Sequence, residues 1–249
     1  MRKTYHTTHQ WNHWLMQAAG KQMVAAEENF LANVLCQERY LKHTLLIGVP
    51  AQRTLLKHSS TFYQTIIGPI HFSSKQIQYI ESDLRNLPII PGGIDVVLLP
   101  HTLDFTDNPH QLLIEACRSV KPEGDIVIFC FNKYSLWGLK KWWVNGKKIP
   151  WSGNFLSPAL IKKWLSLADF ELTKQTSLLL LPPSESYRWS TQVTLFKWLG
   201  LKLGPLLGGV TVITAKAKVI PLTPIKLRWK QKIPPLRVTM PGATMRDMR

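Results

Sequence analysis

The spacing of hydrophobic positions changes along the chain, and this change predicts the order of helices and strands. Between Trp11 and Tyr40 apolar residues recur at helical spacing, which predicts one or two helices ahead of the main sheet. Short apolar runs of strand length follow, separated by polar and Gly/Pro-containing turns. The predicted strands are 44–48, 62–67, 77–80, 94–99, 125–131, 170–181 and 209–219.

Helices are predicted between several of these strands. The clearest one spans 108–120, because Pro109 occupies its first turn and its apolar residues fall on one face. After a turn at 121–124, the almost continuous apolar run 125–131 is typical of a central parallel strand that is covered on both faces. Further helices are expected from about residue 51, at 157–167 and at 187–201. The alternation predicts an α/β fold with a mostly parallel sheet.

Composition favours a folded protein with a large core. Of the 249 residues 45% are hydrophobic and 18% are charged, which suits one large α/β domain or two small ones and excludes extensive disorder. Lys and Arg outnumber Asp and Glu by 31 to 15, so the formal charge of +16 favours association with polyanions. Net charge alone carries no information on fold or chemistry.

Cysteine usage and the N-terminus predict a cytoplasmic protein. The three cysteines are odd in number and far apart, so neither a disulfide framework nor a metal site is predicted, and a reducing compartment fits. No apolar run follows the basic residues at the N-terminus, so no cleaved signal peptide is expected. The apolar stretch 203–215 is shorter than the roughly 20 residues that cross a bilayer, and we interpret it as a buried strand with its lead-in.

Two basic segments are candidates for binding partners. From Lys216 onward there are nine Lys or Arg, one acid and five prolines, typical of a tail without its own core. Segment 133–151 has five lysines, five Trp or Tyr and no acid, which suits stacked nucleic-acid bases, an anionic membrane surface, or a packed helix with a solvated lysine face. The expected organisation is a helical cap at 1–42, one domain at 43–220 and a basic tail at 221–249.

Three motifs in the middle of the chain carry a family resemblance. They are DLRNLP at 83–88, IDVVLLPH at 94–101 and VKPEG at 120–124. Together they resemble the class I S-adenosylmethionine (SAM) dependent methyltransferases of the small-molecule type, over about residues 43–131. More narrowly, segments 99–105, 108–113 and 131–139 resemble a proteobacterial methyltransferase-like family often encoded beside the glyoxalase II hydrolase.

The resemblance implies a Rossmann-like sheet whose last strand is antiparallel, and SAM as cofactor. Ligands of open α/β sheets lie beyond the carboxyl ends of the strands. By resemblance, Gly48, Asp83, Leu84 and Pro100 would contact the cofactor there. The Asp83 carboxylate would accept from the adenine amino group and the Leu84 N–H would meet a ring nitrogen. The alternative for Asp83 is an exposed loop or capping aspartate, but Leu87-Pro88 and Asp95 in register favour the role at the cofactor.

Two departures from the superfamily pattern concern the same expected site. The turn after the first strand, 46–51, has one glycine, Gly48, where the superfamily is glycine-rich so that backbone can approach the methionine part of SAM. No acid closes the second strand at 65–70, where a carboxylate usually accepts from the ribose hydroxyls. SAM bound through a modified loop, weak binding and loss of the cofactor all remain open.

Candidate catalytic residues follow the fourth and fifth strands. His101 could act as a general base or orient an acceptor, or be structural. Asn132 could face the same pocket or bond to a turn, and His110 suits capping or packing.

The leading hypothesis is a SAM-dependent methyltransferase of a small-molecule or lipid-like acceptor. The alternatives are a catalytically inactive, methyltransferase-like protein that binds nucleic acid or a protein partner, and an RNA methyltransferase. A nicotinamide-dependent oxidoreductase is disfavoured because no G-x-G-x-x-G follows the first strand.

Overall fold

The computed structural model describes residues 2–35, 43–58, 63–73, 77–143, 149–178, 208–219 and 242. Its helices are α1 (Arg2–Leu15), α2 (Ala18–Leu35), a 3₁₀ helix (Pro50–His58), α3 (Thr102–Phe105), α4 (Pro109–Ser119), α5 (Leu136–Trp143) and α6 (Pro158–Leu167). Its strands are β1 (His43–Ile47), β2 (Tyr63–Gly68), β3 (Gln78–Glu81), β4 (Ile94–Pro100), β5 (Val120–Phe131), β6 (Phe170–Leu178) and β7 (Val210–Ala217).

The strands form one seven-stranded sheet in the order β3-β2-β1-β4-β5-β7-β6. Strands β1 to β5 are parallel to one another, and β4 lies directly beside β5 with Leu98 opposite Val127. Strand β7 is antiparallel to both β5 and β6. The predicted α/β class and the antiparallel last strand are therefore confirmed.

Layers of helix cover both faces of the sheet, as the apolar runs of the central strands require. Along β4, Val96 and Leu98 face the cluster formed with α1 and α2, whereas Val97 and Leu99 face the cluster formed with α4 and α6. This division follows the two-residue period of a strand.

The two N-terminal helices belong to the core of the same unit. Trp11 and Leu15 of α1 and Met23 and Leu31 of α2 are buried in the cluster that includes Leu46 of β1. Residues 1–219 form one compact unit. Within the part of the chain that the structure describes, no helix is long and apolar enough to cross a membrane.

Some predicted boundaries differ in the structure. The predicted turn at 121–124 is part of β5, where the register with β4 shifts between Ile94 and Val96 and Glu123 has a φ of 63°. The helix expected from residue 51 is a 3₁₀ helix, Pro50–His58. The predicted helix 187–201, the end of the strand predicted at 170–181 and, except for residue 242, the predicted tail 221–249 lie outside the described residues.

Candidate functional site

The turns that follow β1, β2, β3 and β4 open onto one cleft. Its volume is about 410 Å³, including space open to solvent. These turns meet because the carboxyl ends of parallel strands share one edge of the sheet, where ligands of such folds lie. The strands and turns contribute Gly48, Val49, Gln52, Pro69, Asp83, Leu84, Pro100, His101 and Thr102 to the lining.

Helix α1 supplies part of the opposite wall. Thr8 and Trp11 line the cleft together with Phe105 and Thr106, which lie beyond β4. The Trp11 ring packs against Phe105 at a centroid distance of 4.4 Å and meets the His101 ring edge-on at 5.6 Å. Helix α1 therefore shapes the cleft as well as covering the sheet.

The structure brings together most of the residues predicted for the site. Gly48, Asp83, Leu84, Pro100 and His101 all line the cleft, although they come from three widely separated parts of the sequence. Their roles toward a ligand stay predictions.

The turn after β3 presents a carboxylate beside a backbone N–H. Asp83 is exposed, and its Oδ1 accepts from the Arg85 N–H at 3.1 Å. Leu84 has a φ of 64°, and its N–H lies 3.5 Å from Ser82 Oγ, which is long for a hydrogen bond. This adjacent acceptor and weakly bonded donor fit the amino group and ring nitrogen of adenine.

The turn after β1 has every backbone N–H bonded within the protein. Gly48 donates to the Ile67 carbonyl at 2.8 Å, and the Val49 N–H donates to Gln52 Oε1 at 3.1 Å. Pro50 has no N–H, and Ala51 donates to a side chain of α1, Asn12 Oδ1, at 2.9 Å. The Gln52 N–H completes the turn by donating to the Val49 carbonyl at 3.0 Å.

Two glycines let the turns of β1 and β2 approach closely. A Cβ at Gly48 would lie 2.5 Å from Gln52 Oε1, and a Cβ at Gly68 would clash with the Gly48 carbonyl oxygen. Pro69 then lines the cleft at the end of β2, where the superfamily pattern has a carboxylate. The residues present therefore fit the adenine part of SAM. The carboxylate that would bind the ribose hydroxyls is missing, and the β1 turn offers no unbonded N–H.

His101 is fully buried between two carboxylates. Its Nε2 lies 2.8 Å from Glu27 Oε1 of α2, and its Nδ1 lies 3.0 Å from Asp104 Oδ2 of α3. Burial alone would lower the pKa of His101, but the two carboxylates outweigh it and raise the pKa from 6.5 to about 9. A protonated ring donates from both nitrogens. The geometry therefore favours an orienting role for His101 over that of a general base.

The cluster of Glu27, His101 and Asp104 joins three parts of the fold. Asp104 Oδ2 also accepts from the Phe131 N–H, at the end of β5, at 2.9 Å. Burial raises the pKa of Asp104, and its hydrogen bonds with His101 and Phe131 oppose that increase. The cluster thus connects α2 and the end of β5 to the turn after β4, which lines the cleft.

Sequence reasoning missed Glu27 and Gln52. For Glu27 a signal existed, because it lies four residues from both Met23 and Leu31 and so interrupts an apolar helix face with a carboxylate. A lone acid on a buried face needs a partner, which here is His101. Gln52 carries no comparable signal in the sequence.

Asn132 does not line the cleft. Its Nδ2 donates to the Gly208 carbonyl at 3.1 Å, and its Oδ1 accepts from the Tyr134 N–H at 3.0 Å. Its backbone N–H donates to the Gly209 carbonyl at 2.9 Å. Of the two alternatives for Asn132, bonding to a turn is the one observed.

Known proteins resemble this chain in the segment that contains most of the cleft residues. Residues 49–128 match the family model of a methyltransferase domain, a range that begins just after Gly48 and includes Asp83, Leu84 and His101. Over this part of its length the chain is similar to methyltransferase domains.

The proteins that are similar to this chain are diverse. The uncharacterized protein YafS of Escherichia coli K12 is 32% identical over 166 residues, a match that covers 66% of this chain and 65% of YafS, just under two thirds of that relative. A SAM-dependent methyltransferase of Thermotoga maritima superposes with a TM-score of 0.62 at 18% identity, covering 86% of this chain and all of that one. One from Mesorhizobium loti has a TM-score of 0.54 at 14% identity, covering 77% of this chain and 97% of that one. At such identities the superpositions establish the fold.

Proposed function

We propose that the chain is a SAM-dependent methyltransferase that holds its cofactor in the cleft at the carboxyl ends of β1 to β4. The observation that carries this proposal is the Asp83–Leu84 turn, which lines the same cleft as Gly48 and Pro100. The match of residues 49–128 to a methyltransferase domain supports it.

Each lining residue has a distinct part in this proposal. Asp83 would accept from the adenine amino group and the Leu84 N–H would donate to a ring nitrogen. Bound SAM would supply an electrophilic methyl group, so the protein chiefly provides proximity and orientation. His101 acts as a positioning residue, since its cluster holds the turn that ends β4 against α2.

The wall formed by α1 and the segment after β4 favours an uncharged acceptor. Thr8, Trp11, Phe105 and Thr106 contribute hydroxyl and aromatic surface. Among the described residues that line the cleft, only Asp83 and His101 are of charged types. A charged acceptor group would lose its hydration here without a partner. We therefore propose a small or lipid-like acceptor whose reacting atom needs no protein base.

Binding of SAM and S-adenosylhomocysteine should depend on Asp83. In calorimetric titrations, Asp83→Ala is expected to weaken the binding free energy of both ligands by about 0.5–3 kcal/mol, the range for losing a hydrogen bond or leaving its partner unsatisfied. Glu171→Ala is the matched control, because Glu171 is an exposed carboxylate on β6, at the opposite edge of the sheet from β3. Equal affinity in Asp83→Ala and the wild type would remove Asp83 from the site.

A catalytically inactive, methyltransferase-like binding protein is the second candidate. The turn after β1 favours it, because each of its N–H groups already has a protein partner. Absence of SAM and S-adenosylhomocysteine binding by the wild type would support this candidate over the enzyme.

Polyanion binding is a separate proposal, for which segment 133–151 gives mixed support. Lys133 and Tyr134 are exposed, whereas Trp137 and Trp151 are buried and cannot stack on bases. Lys140 lies over the Trp151 ring at 5.2 Å, so one of the segment's lysines also packs within the fold. This arrangement favours contact through charge over base stacking.

Affinity for a generic single-stranded RNA or an anionic vesicle should therefore fall steeply with salt. Log K is expected to decrease linearly with log salt, with a slope of about 0.7 per RNA phosphate neutralised. A chain that ends at Val219 keeps β7 (Val210–Ala217) and should lose much of this affinity while its SAM titration stays unchanged. Lys163→Gln, a change in an exposed lysine of α6, serves as the control. If the full chain binds neither ligand at low salt, the excess positive charge has no such role.

A further inference from the structure

The Gln52 side chain connects the turn after β1 to the end of β4. It is fully buried, its Oε1 accepts from the Val49 N–H at 3.1 Å, and its Nε2 donates to the Pro100 carbonyl at 2.8 Å. Its carboxamide also packs directly on Gly48, since a Cβ there would lie 2.5 Å from Oε1. Gly48, Val49, Gln52 and Pro100 all line the cleft.

The Gln52 carboxamide places a hydrogen-bond acceptor beside a donor, as the carboxylate and ammonium groups of an α-amino acid do. A carboxylate could accept from the Val49 N–H as Oε1 does, and an ammonium could donate to the Pro100 carbonyl as Nε2 does. Both protein groups are buried, so each needs a partner whether or not a ligand is bound. Gln52 therefore makes the hydrogen bonds to the Val49 N–H and the Pro100 carbonyl that an amino-acid ligand could make in its place.

We propose that Gln52 competes with the amino-acid end of SAM and sets the selectivity of the cleft between SAM and adenine nucleosides that lack this end. This inference rests on the proposed function, because it assumes that the adenine part lies at Asp83 and Leu84. A nucleoside such as 5′-methylthioadenosine can leave Gln52 in place. S-Adenosylhomocysteine has to displace it, and the gain from its amino-acid end is offset by the two hydrogen bonds that Gln52 gives up.

The test compares S-adenosylhomocysteine and 5′-methylthioadenosine by calorimetry on the full chain. In the wild type the two dissociation constants should agree within about threefold. In Gln52→Ala the Val49 N–H loses its partner and the Pro100 carbonyl keeps only a long contact with Thr102 Oγ1 at 3.4 Å. Affinity for S-adenosylhomocysteine relative to the nucleoside should therefore rise by about tenfold, or ~1.4 kcal/mol. Gln64→Ala is the matched control, because the Gln64 side chain also donates to a backbone carbonyl, that of Leu56 at 3.0 Å, but does not line the cleft.

A second measurement on the wild type covers the case in which Gln52→Ala does not fold. The side-chain amide signals of Gln52 in a ¹⁵N-labelled sample should shift when S-adenosylhomocysteine binds and stay in place when 5′-methylthioadenosine binds. Shifts of equal size with both ligands would overturn the inference.

The outcomes separate this inference from the proposed function. If both ligands bind and their affinity ratio is the same in the wild type and in Gln52→Ala, Gln52 is not the selectivity residue and the methyltransferase proposal stands. If neither ligand binds either protein, both proposals are overturned.

Discussion

His101→Asn is expected to lower the free energy of unfolding by about 3–5 kcal/mol, the range for removing one partner of a buried ion pair. The imidazole is fully buried and lies 2.8 Å from Glu27 Oε1 and 3.0 Å from Asp104 Oδ2. Its removal leaves two buried carboxylates without their cation. Asparagine is the informative replacement because His101 has a φ of 57°, a conformation that asparagine adopts more readily than alanine does.

The chain contains a matched histidine for this experiment. His71 lies 3.1 Å from Glu81, a similar distance, but the two side chains are 84% and 54% exposed. Because exposed ion pairs contribute at most about 1 kcal/mol, His71→Asn should change the urea unfolding midpoint only slightly. A loss of stability that is equally small in both variants would show that the buried cluster does not hold α2 on the sheet.

Stability should decrease as the pH rises from about 6.5 to 9. The folded-state pKa of His101 is raised from 6.5 to about 9 because Glu27 and Asp104 outweigh the effect of burial. Below pH 6.5 both the folded and the unfolded chain carry the proton, so the stabilisation is fully present. Above it the unfolded chain releases the proton first, and the contribution is lost as the pH passes about 9.

The size of this pH effect follows from the pKa difference. A shift from 6.5 to about 9 corresponds to roughly 3 kcal/mol in the free energy of unfolding. The measurement is urea unfolding at several pH values in the wild type and in His101→Asn, which should lack this decrease. The thiols of Cys117 and Cys130, whose pKa values are raised by burial, are present in both proteins and cancel in the comparison. If the free energy of unfolding changes with pH in the same way in both proteins, groups other than His101 cause the pH dependence.

Both experiments bear on the proposed function through the N-terminal helices. Glu27 lies in α2, and Trp11 of α1 lines the cleft beside Phe105. If the charged cluster is broken, the wall formed by α1 should become less well defined. Affinity for a ligand in the cleft should then fall even though His101 donates to carboxylates and not to the ligand.

The sequence by itself determined the sheet and the general position of the site. The apolar runs of β4 and β5 and the one-sided helices α4 and α6 are local patterns, because burial on one or both faces dictates residue types at a fixed period. The motif 83–88 gave the Asp83–Leu84 turn, and the carboxyl-edge rule for parallel strands placed it near Gly48. These conclusions required only the residue types within each segment and their spacing.

Only the tertiary structure decided how individual polar side chains are used. His101 and Glu27 are 74 residues apart, Gln52 and Pro100 are 48 apart, and Asn132 bonds to Gly208 across 76 residues. No local period encodes such pairs, because a buried polar group can be satisfied by any suitable partner that the fold brings within hydrogen-bond distance. The tertiary structure therefore places His101 between two buried carboxylates, which favours a positioning role over that of a base. It also places the Gln52 side chain between the Val49 N–H and the Pro100 carbonyl.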